Sequence, residues 1–226
     1  MEDHLWHDRH FHPWVIIDSL ADVILHYTGG CIVEIGLGYS TKMLTKHAKN
    51  FGVKHYAIDV RKSKCKAAEK HLHDGLIIYR GRSLSFIETF DDSPGLVLID
   101  GCHKAPTVIR EALFFLQKMV PGGVMFLHDT YYCEAWGLRY DEIGKNSTTY
   151  RVRWELENLK NVWCMTFPYS AGACGLTMVM KRPEYEHTAN PLDLVGDHPR
   201  GPRMSGRYRW FMGEGIQWKN VESYIF

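Results

Sequence analysis

The chain has 226 residues, 45% of them hydrophobic and 23% charged, with a formal net charge of +1. That length fits one domain with short appendages and a core that needs no covalent staples. A balance so close to neutral gives no electrostatic argument for nucleic acid or an anionic membrane surface as a partner.

The six cysteines (Cys31, Cys65, Cys102, Cys133, Cys164, Cys174) are scattered without a C-x-x-C pair. This speaks against a disulfide framework and for a reducing, cytoplasmic setting. The opening MEDHLWHD has no apolar run, so a signal peptide is not expected, and every apolar stretch is too short for a membrane span.

In chain order, a helical lead-in over 14–26 comes first, within a segment 1–30 expected to act as an N-terminal lead-in or lid. Apolar runs at 31–35, 53–58, 76–79, 96–99 and 124–127 then alternate with helical periods at 41–49, 62–72, 83–90 and 107–119. Short strands that are apolar on both faces and separated by helices predict βαβ units around a buried parallel sheet. The runs 162–167 and 176–181 are joined by a short link with Pro168 and Gly175, which permits only an antiparallel pair. The expected fold is therefore α/β: a Rossmann-like, doubly wound, mostly parallel seven-stranded sheet over 31–182, closed by an antiparallel C-terminal hairpin strand. Residues 183–226 form an extension rich in Pro and Gly, with Tyr208, Trp210, Phe211, Trp218, Tyr224 and Phe226. Without a core of its own, it is expected to pack on the domain or to support a homo-oligomer.

The first strand runs into Glu34-Ile35-Gly36-Leu37-Gly38-Tyr39-Ser40-Thr41 and then a helix. Glycines at such a junction let a ligand approach the backbone and the free N–H groups of the helix. A dinucleotide site would need a third glycine where Thr41 stands, and a P-loop would need Gly-Lys-Ser/Thr, which is absent. A glycine turn without ligand significance is the bland alternative. Asp59, about twenty residues on, can accept the hydroxyls of a ribose. Glu34, an acid beside the loop, would repel a pyrophosphate and suits a cationic sulfonium cofactor.

Further ordered motifs follow: Gly81-Arg82-Ser83, Ile99-Asp100-Gly101-Cys102-His103, Pro121-Gly122-Gly123 and His128-Asp129-Thr130. With the glycine loop, these resemble a class I S-adenosylmethionine-dependent methyltransferase, in particular methyltransferase family 24, over about two-thirds of the chain. The resemblance implies that Glu34, Gly36, Gly38, Tyr39, Ser40 and Thr41 surround the methionine end of S-adenosylmethionine. It implies that Asp59 holds the ribose, that Val60 lies beside the adenine, and that Gly81, Arg82 and Ser83 approach the adenine edge. Arg82 departs from the acid often found there. Asp100 and His103 would lie near the sulfonium.

Asp100, His103, His128 and Asp129 end neighbouring strands and are expected to converge. Moving a methyl group from a sulfonium needs in-line positioning and a deprotonated acceptor, and a hydroxyl acceptor needs a base or a metal. His103 is the favoured base and His128 the second candidate, with Asp129 beside them. The resemblance also implies a divalent-metal site at Asp100, His128 and Asp129, with a histidine where an acid would be usual, which favours a softer ion.

His4, His7, His10 and His12, interleaved with Trp6, Phe11 and Trp14, are expected to be solvated or part of a lid rather than a metal site. Tyr131, Tyr132, Trp136 and Tyr140 are either core or an aromatic wall for the acceptor. The function expected from the resemblance is O-methylation of a small-molecule acceptor, without nucleic acid or membrane partners. An NAD(P)-dependent oxidoreductase and a non-catalytic cofactor-binding or assembly protein of the same fold are the alternatives.

Overall fold

The computed structural model describes residues 13–71, 73–130, 149–159, 162–167 and 175–181. The N-terminal histidines His4, His7, His10 and His12, Cys133 and Cys174, and the aromatic residues Tyr131, Tyr132, Trp136 and Tyr140 lie outside them. So do the extension 183–226 and most of the hairpin link.

Helix α1 (Pro13–Thr28) precedes β1 (Cys31–Ile35), α2 (Tyr39–Phe51), β2 (His55–Asp59) and α3 (Lys62–Ala68). Then come β3 (Leu76–Arg80), α4 (Ser83–Ile87), β4 (Pro94–Ile99), α5 (Ala105–Lys118) and β5 (Val124–His128). Helix α6 (Thr149–Glu157), β6 (Val162–Phe167) and β7 (Leu176–Lys181) complete the order. One seven-stranded sheet runs β3-β2-β1-β4-β5-β7-β6. The first five strands pair in parallel, and β7 pairs antiparallel with both β5 and β6, as the hairpin link required.

Alternation along the buried strands explains the two covered faces. Val33, Ile35, Val97, Ile99, Met125 and Leu127 point to one face, where they pack with Val108, Ala112 and Phe115 of α5 and Val152 of α6. Ile32, Leu96, Leu98, Val124 and Phe126 point to the other, against Ile17, Ala21 and Leu25 of α1 and Leu44 and Ala48 of α2. Each strand therefore reads as a continuous apolar run because both its faces are buried.

Three elements depart from the sequence reading. The segment 83–90 yields only α4 over Ser83–Ile87, and 62–72 divides into α3 and a 3-10 turn at Glu69–His71. Helix α6 was not foreseen, because Thr149–Glu157 alternates polar and apolar residues and carries only a weak helical stripe. Among the described residues, no helix is long and apolar enough to cross a membrane.

Candidate active site

Strand order reverses between β1 and β4, and an open sheet of this kind receives ligands at the carboxyl ends beside that switch point. Register levels those ends: Ile35 pairs with Ile58 and Ile99, and Ile99 pairs with Leu127. The residues that follow (Gly36, Asp59, Asp100 and His128) therefore arrive together, and they line one cavity of about 910 Å³. That volume suits a nucleoside-sized ligand with room for a second molecule.

Gly36 shows why the loop needs glycine. Its φ is +91°, and a Cβ there would stand 2.2 Å from the Asp100 carbonyl oxygen, so only glycine lets β1 and β4 close together. Gly38 differs: an added Cβ would meet nothing nearer than the Lys64 Nζ at 4.0 Å. The space beside it is open cavity.

Tyr39, Val60, Gly81, Arg82, Ser83 and His103 also line the cavity, whereas Glu34, Ser40 and Thr41 do not. Glu34 alternates away from the opening and is fully buried. Its Oε1 accepts hydrogen bonds from Ser40 Oγ at 2.5 Å and Thr41 Oγ1 at 3.1 Å, and Oε2 faces His55 Nε2 at 3.3 Å. Thr41 Oγ1 also accepts the Gly38 N–H at 3.0 Å. Glu34 thus pins the first turn of α2 to the strand and braces the glycine loop from behind.

The Asp59 carboxylate is fully subscribed. Oδ1 accepts from the Arg61 N–H at 2.8 Å and Arg61 Nε at 3.1 Å; Oδ2 accepts from the Leu37 N–H at 3.1 Å and Arg61 Nη2 at 3.1 Å. Burial alone would raise the Asp59 carboxyl, but these donors outweigh it and hold it below the ordinary carboxylate range. A ribose reaching Asp59 must take the place of the exposed guanidinium.

At the other end of the cavity, four titratable groups form one chain of contacts. His103 Nδ1 lies 3.1 Å from Asp129 Oδ2, and His128 Nδ1 lies 3.0 Å from Asp100 Oδ1 and 3.1 Å from Asp129 Oδ1. Asp129 takes a left-handed φ of 57°, which turns its carboxylate back toward both histidines. A carboxylate on Nδ1 fixes the His103 tautomer and leaves Nε2 with a lone pair, as a base needs. His128 is different. Burial opposes its charge, but Asp100 and Asp129 push its pKa up to about 10.

The donor set does not fit a divalent ion, which needs three or more lone pairs converging on one centre. Among the described residues, no group of three His, Cys, Asp or Glu side chains is so arranged. His128 Nδ1 lies 3.0 Å from Asp100 Oδ1 and 3.1 Å from Asp129 Oδ1 without a well-aligned hydrogen bond to either.

Sequence reasoning missed Trp14, Arg61, Lys64, Cys102 and Thr107 in the cavity wall. Arg61, two residues beyond an acid at a strand end, offered a local signal; Trp14 offered none, since it arrives from a helix that packs across the sheet. Behind the wall, Ser83 Oγ donates to the Glu111 carboxylate, and burial pushes that carboxyl up to about 7.

Residues 33–130 match the family model described as a methyltransferase domain. No curated protein sequence matches the chain. Among solved structures, the fold is similar to the O-methyltransferase TomG of Streptomyces achromogenes, involved in tomaymycin synthesis and in complex with SAM. It is 17% identical, with a TM-score of 0.60, over 80% of this chain and 91% of that one. An O-methyltransferase of Bacillus cereus in complex with SAH is 16% identical, with a TM-score of 0.58, over 76% and 82%. An rRNA methylase of Streptococcus thermophilus is 14% identical, with a TM-score of 0.55, over 76% and 98%. At these identities the likeness concerns the fold, which carries more than one class of acceptor.

Proposed function

We propose that the chain is a class I methyltransferase that methylates a hydroxyl of a small-molecule acceptor; the methyltransferase-domain match over 33–130 and the Rossmann-like sheet support this reading. The observation that carries this reading is His103, which lines the same cavity as the glycine loop and Asp59 and has its Nδ1 3.1 Å from Asp129 Oδ2 behind it. S-adenosylmethionine, when bound, supplies a methyl carbon made electrophilic by its sulfonium. Asp59 holds the ribose, Val60 and Tyr39 flank the nucleoside at the mouth, and Arg82 and Ser83 border the adenine end. Gly36 and Gly38 leave the backbone open to the methionine portion, and Glu34, Ser40 and Thr41 keep that backbone in place.

His103 Nε2 takes the proton of the acceptor hydroxyl. Asp129, on the opposite nitrogen, holds the ring in the useful tautomer and stabilises the imidazolium that forms. An acceptor small enough to share a cavity of about 910 Å³ with a nucleoside fits this reading better than a polymer. The overall net charge of +1 gives no electrostatic argument for a polyanionic acceptor.

The test is transfer of a labelled methyl group from S-adenosylmethionine to a panel of hydroxylated, aminated and thiol-bearing small molecules and to rRNA. Label in hydroxyl compounds alone is expected. Label in rRNA, or only in amines, would overturn the acceptor assignment.

A further inference from the structure

Helix α3 opens on basic residues where the first turn of a helix favours acids. Arg61 caps it, Lys62 and Lys64 follow, and no acid stands in that turn. Arg61 reaches back to Asp59 and Lys62 is exposed, but Lys64 is half-buried and lines the cavity. Packing explains its direction. Cys65 and Ala68 cluster with Leu37, the residue between the two loop glycines, and this seats α3 beside the loop. Beyond the neighbours of Gly38 in the chain, Lys64 Nζ is the one described atom within reach of a Cβ built there, at 4.0 Å. Among the described residues, that ammonium makes no ion pair or hydrogen bond. An ammonium drawn partly out of water loses hydration and gains nothing in return until an anion arrives.

The chemistry of the cofactor says which anion. S-adenosylmethionine has one anionic group, the α-carboxylate, and it belongs to the methionine portion for which the glycine loop is the proposed seat. Three arginine and lysine side chains line the cavity: Arg61 is engaged by Asp59, and Arg82 stands beyond β3 at the proposed adenine end. Lys64 is the third. We infer that Lys64 binds the α-carboxylate of the cofactor across the gap that Gly38 leaves open. The inference rests on the S-adenosylmethionine reading proposed above and adds the residue that recognises the amino-acid end. An anionic acceptor would present the same chemistry, but its end of the cavity lies at β4 and β5, across β1 from α3. A lysine suits the role because its point charge rides on a flexible stem and can follow the carboxylate.

The test is titration calorimetry of the full chain, without acceptor, with S-adenosylhomocysteine and with its decarboxylated analogue. The analogue keeps the nucleoside, the sulfur and the amine. Lys64→Ala is expected to weaken S-adenosylhomocysteine by about 5- to 50-fold and the analogue by less than about 2-fold. Lys64→Arg is expected to restore most of the loss. Arg61→Ala, acting at the ribose, is expected to shift both ligands alike. Equal weakening of the two ligands by Lys64→Ala, or no change in either, would overturn the inference, as would a loss confined to S-adenosylhomocysteine in Arg61→Ala. Should Lys64→Ala not fold, Lys64→Gln carries the same comparison. A wild type that binds neither ligand removes the cofactor reading and this inference with it. A wild type that binds both, with Lys64 variants that do not tell them apart, removes the lysine alone.

Discussion

Replacing Asp59 by alanine tests how the cavity is expected to receive its cofactor. In the free protein the carboxylate already makes four hydrogen bonds, one from the Leu37 N–H and three from Arg61. Two ribose hydroxyls therefore bind by exchange, displacing the two guanidinium contacts. Hydrogen bonds to a charged acceptor contribute about 1.5–3 kcal/mol each, whereas an ion pair with one partner as exposed as Arg61 contributes only ~0–1 kcal/mol. Allowing for that exchange and for desolvation, Asp59→Ala should weaken binding by roughly 1–3 kcal/mol, or roughly 5- to 150-fold. Arg61→Ala should act in the opposite direction, tightening it by up to about 5-fold because the competitor is gone. Titration calorimetry with S-adenosylhomocysteine measures both. Unchanged affinity in Asp59→Ala would refute the ribose assignment, and weaker binding in Arg61→Ala would show that the guanidinium holds the ligand instead of competing with it.

His103→Ala should lower kcat by about 10²- to 10⁴-fold while leaving the calorimetric affinity for S-adenosylhomocysteine intact. Asp129→Asn should lower kcat by less than His103→Ala does, since the ring loses its carboxylate but stays in place. Gly36→Ala should prevent folding or lower the melting temperature sharply, because its Cβ meets the Asp100 carbonyl at 2.2 Å. Gly38→Ala should leave the melting temperature almost unchanged and weaken only ligand binding, since its Cβ enters open cavity. For Glu111, whose folded pKa is raised to about 7, the favourable contribution of the neutral carboxyl is complete below the unfolded value. It fades as pH rises toward 7. Glu111→Gln should therefore raise the melting temperature at pH 8, by no more than about 3 kcal/mol in stability, with little gain near pH 4. Equal gains at both values would remove the buried ionisation as the cause.

Periodicity made most of the fold legible, because the strands are buried on both faces and so announce themselves as apolar runs. The link after β6 fixed an antiparallel pair, but nothing local could set β7 between β5 and β6. Pairing across Phe126–Met178 and Leu127–Thr177 decides that order. Helix α6 escaped because tertiary burial of Val152 and Leu156, not a helical stripe, maintains it.

Sequence by itself determined where glycine must stand, which strand ends carry acids and histidines, and that these arise from one α/β unit. Such facts depend on φ, on hydrogen-bonding capacity and on alternation, all of which are properties of a residue and its near neighbours. Only tertiary structure decided what each group touches. Glu34 meets His55, Asp59 meets Arg61, and His128 meets Asp100 and Asp129, contacts that no spacing along the chain announces. A side chain's charge state and free lone pairs depend on what surrounds it in space, and in an open sheet those surroundings come from segments far apart in the chain.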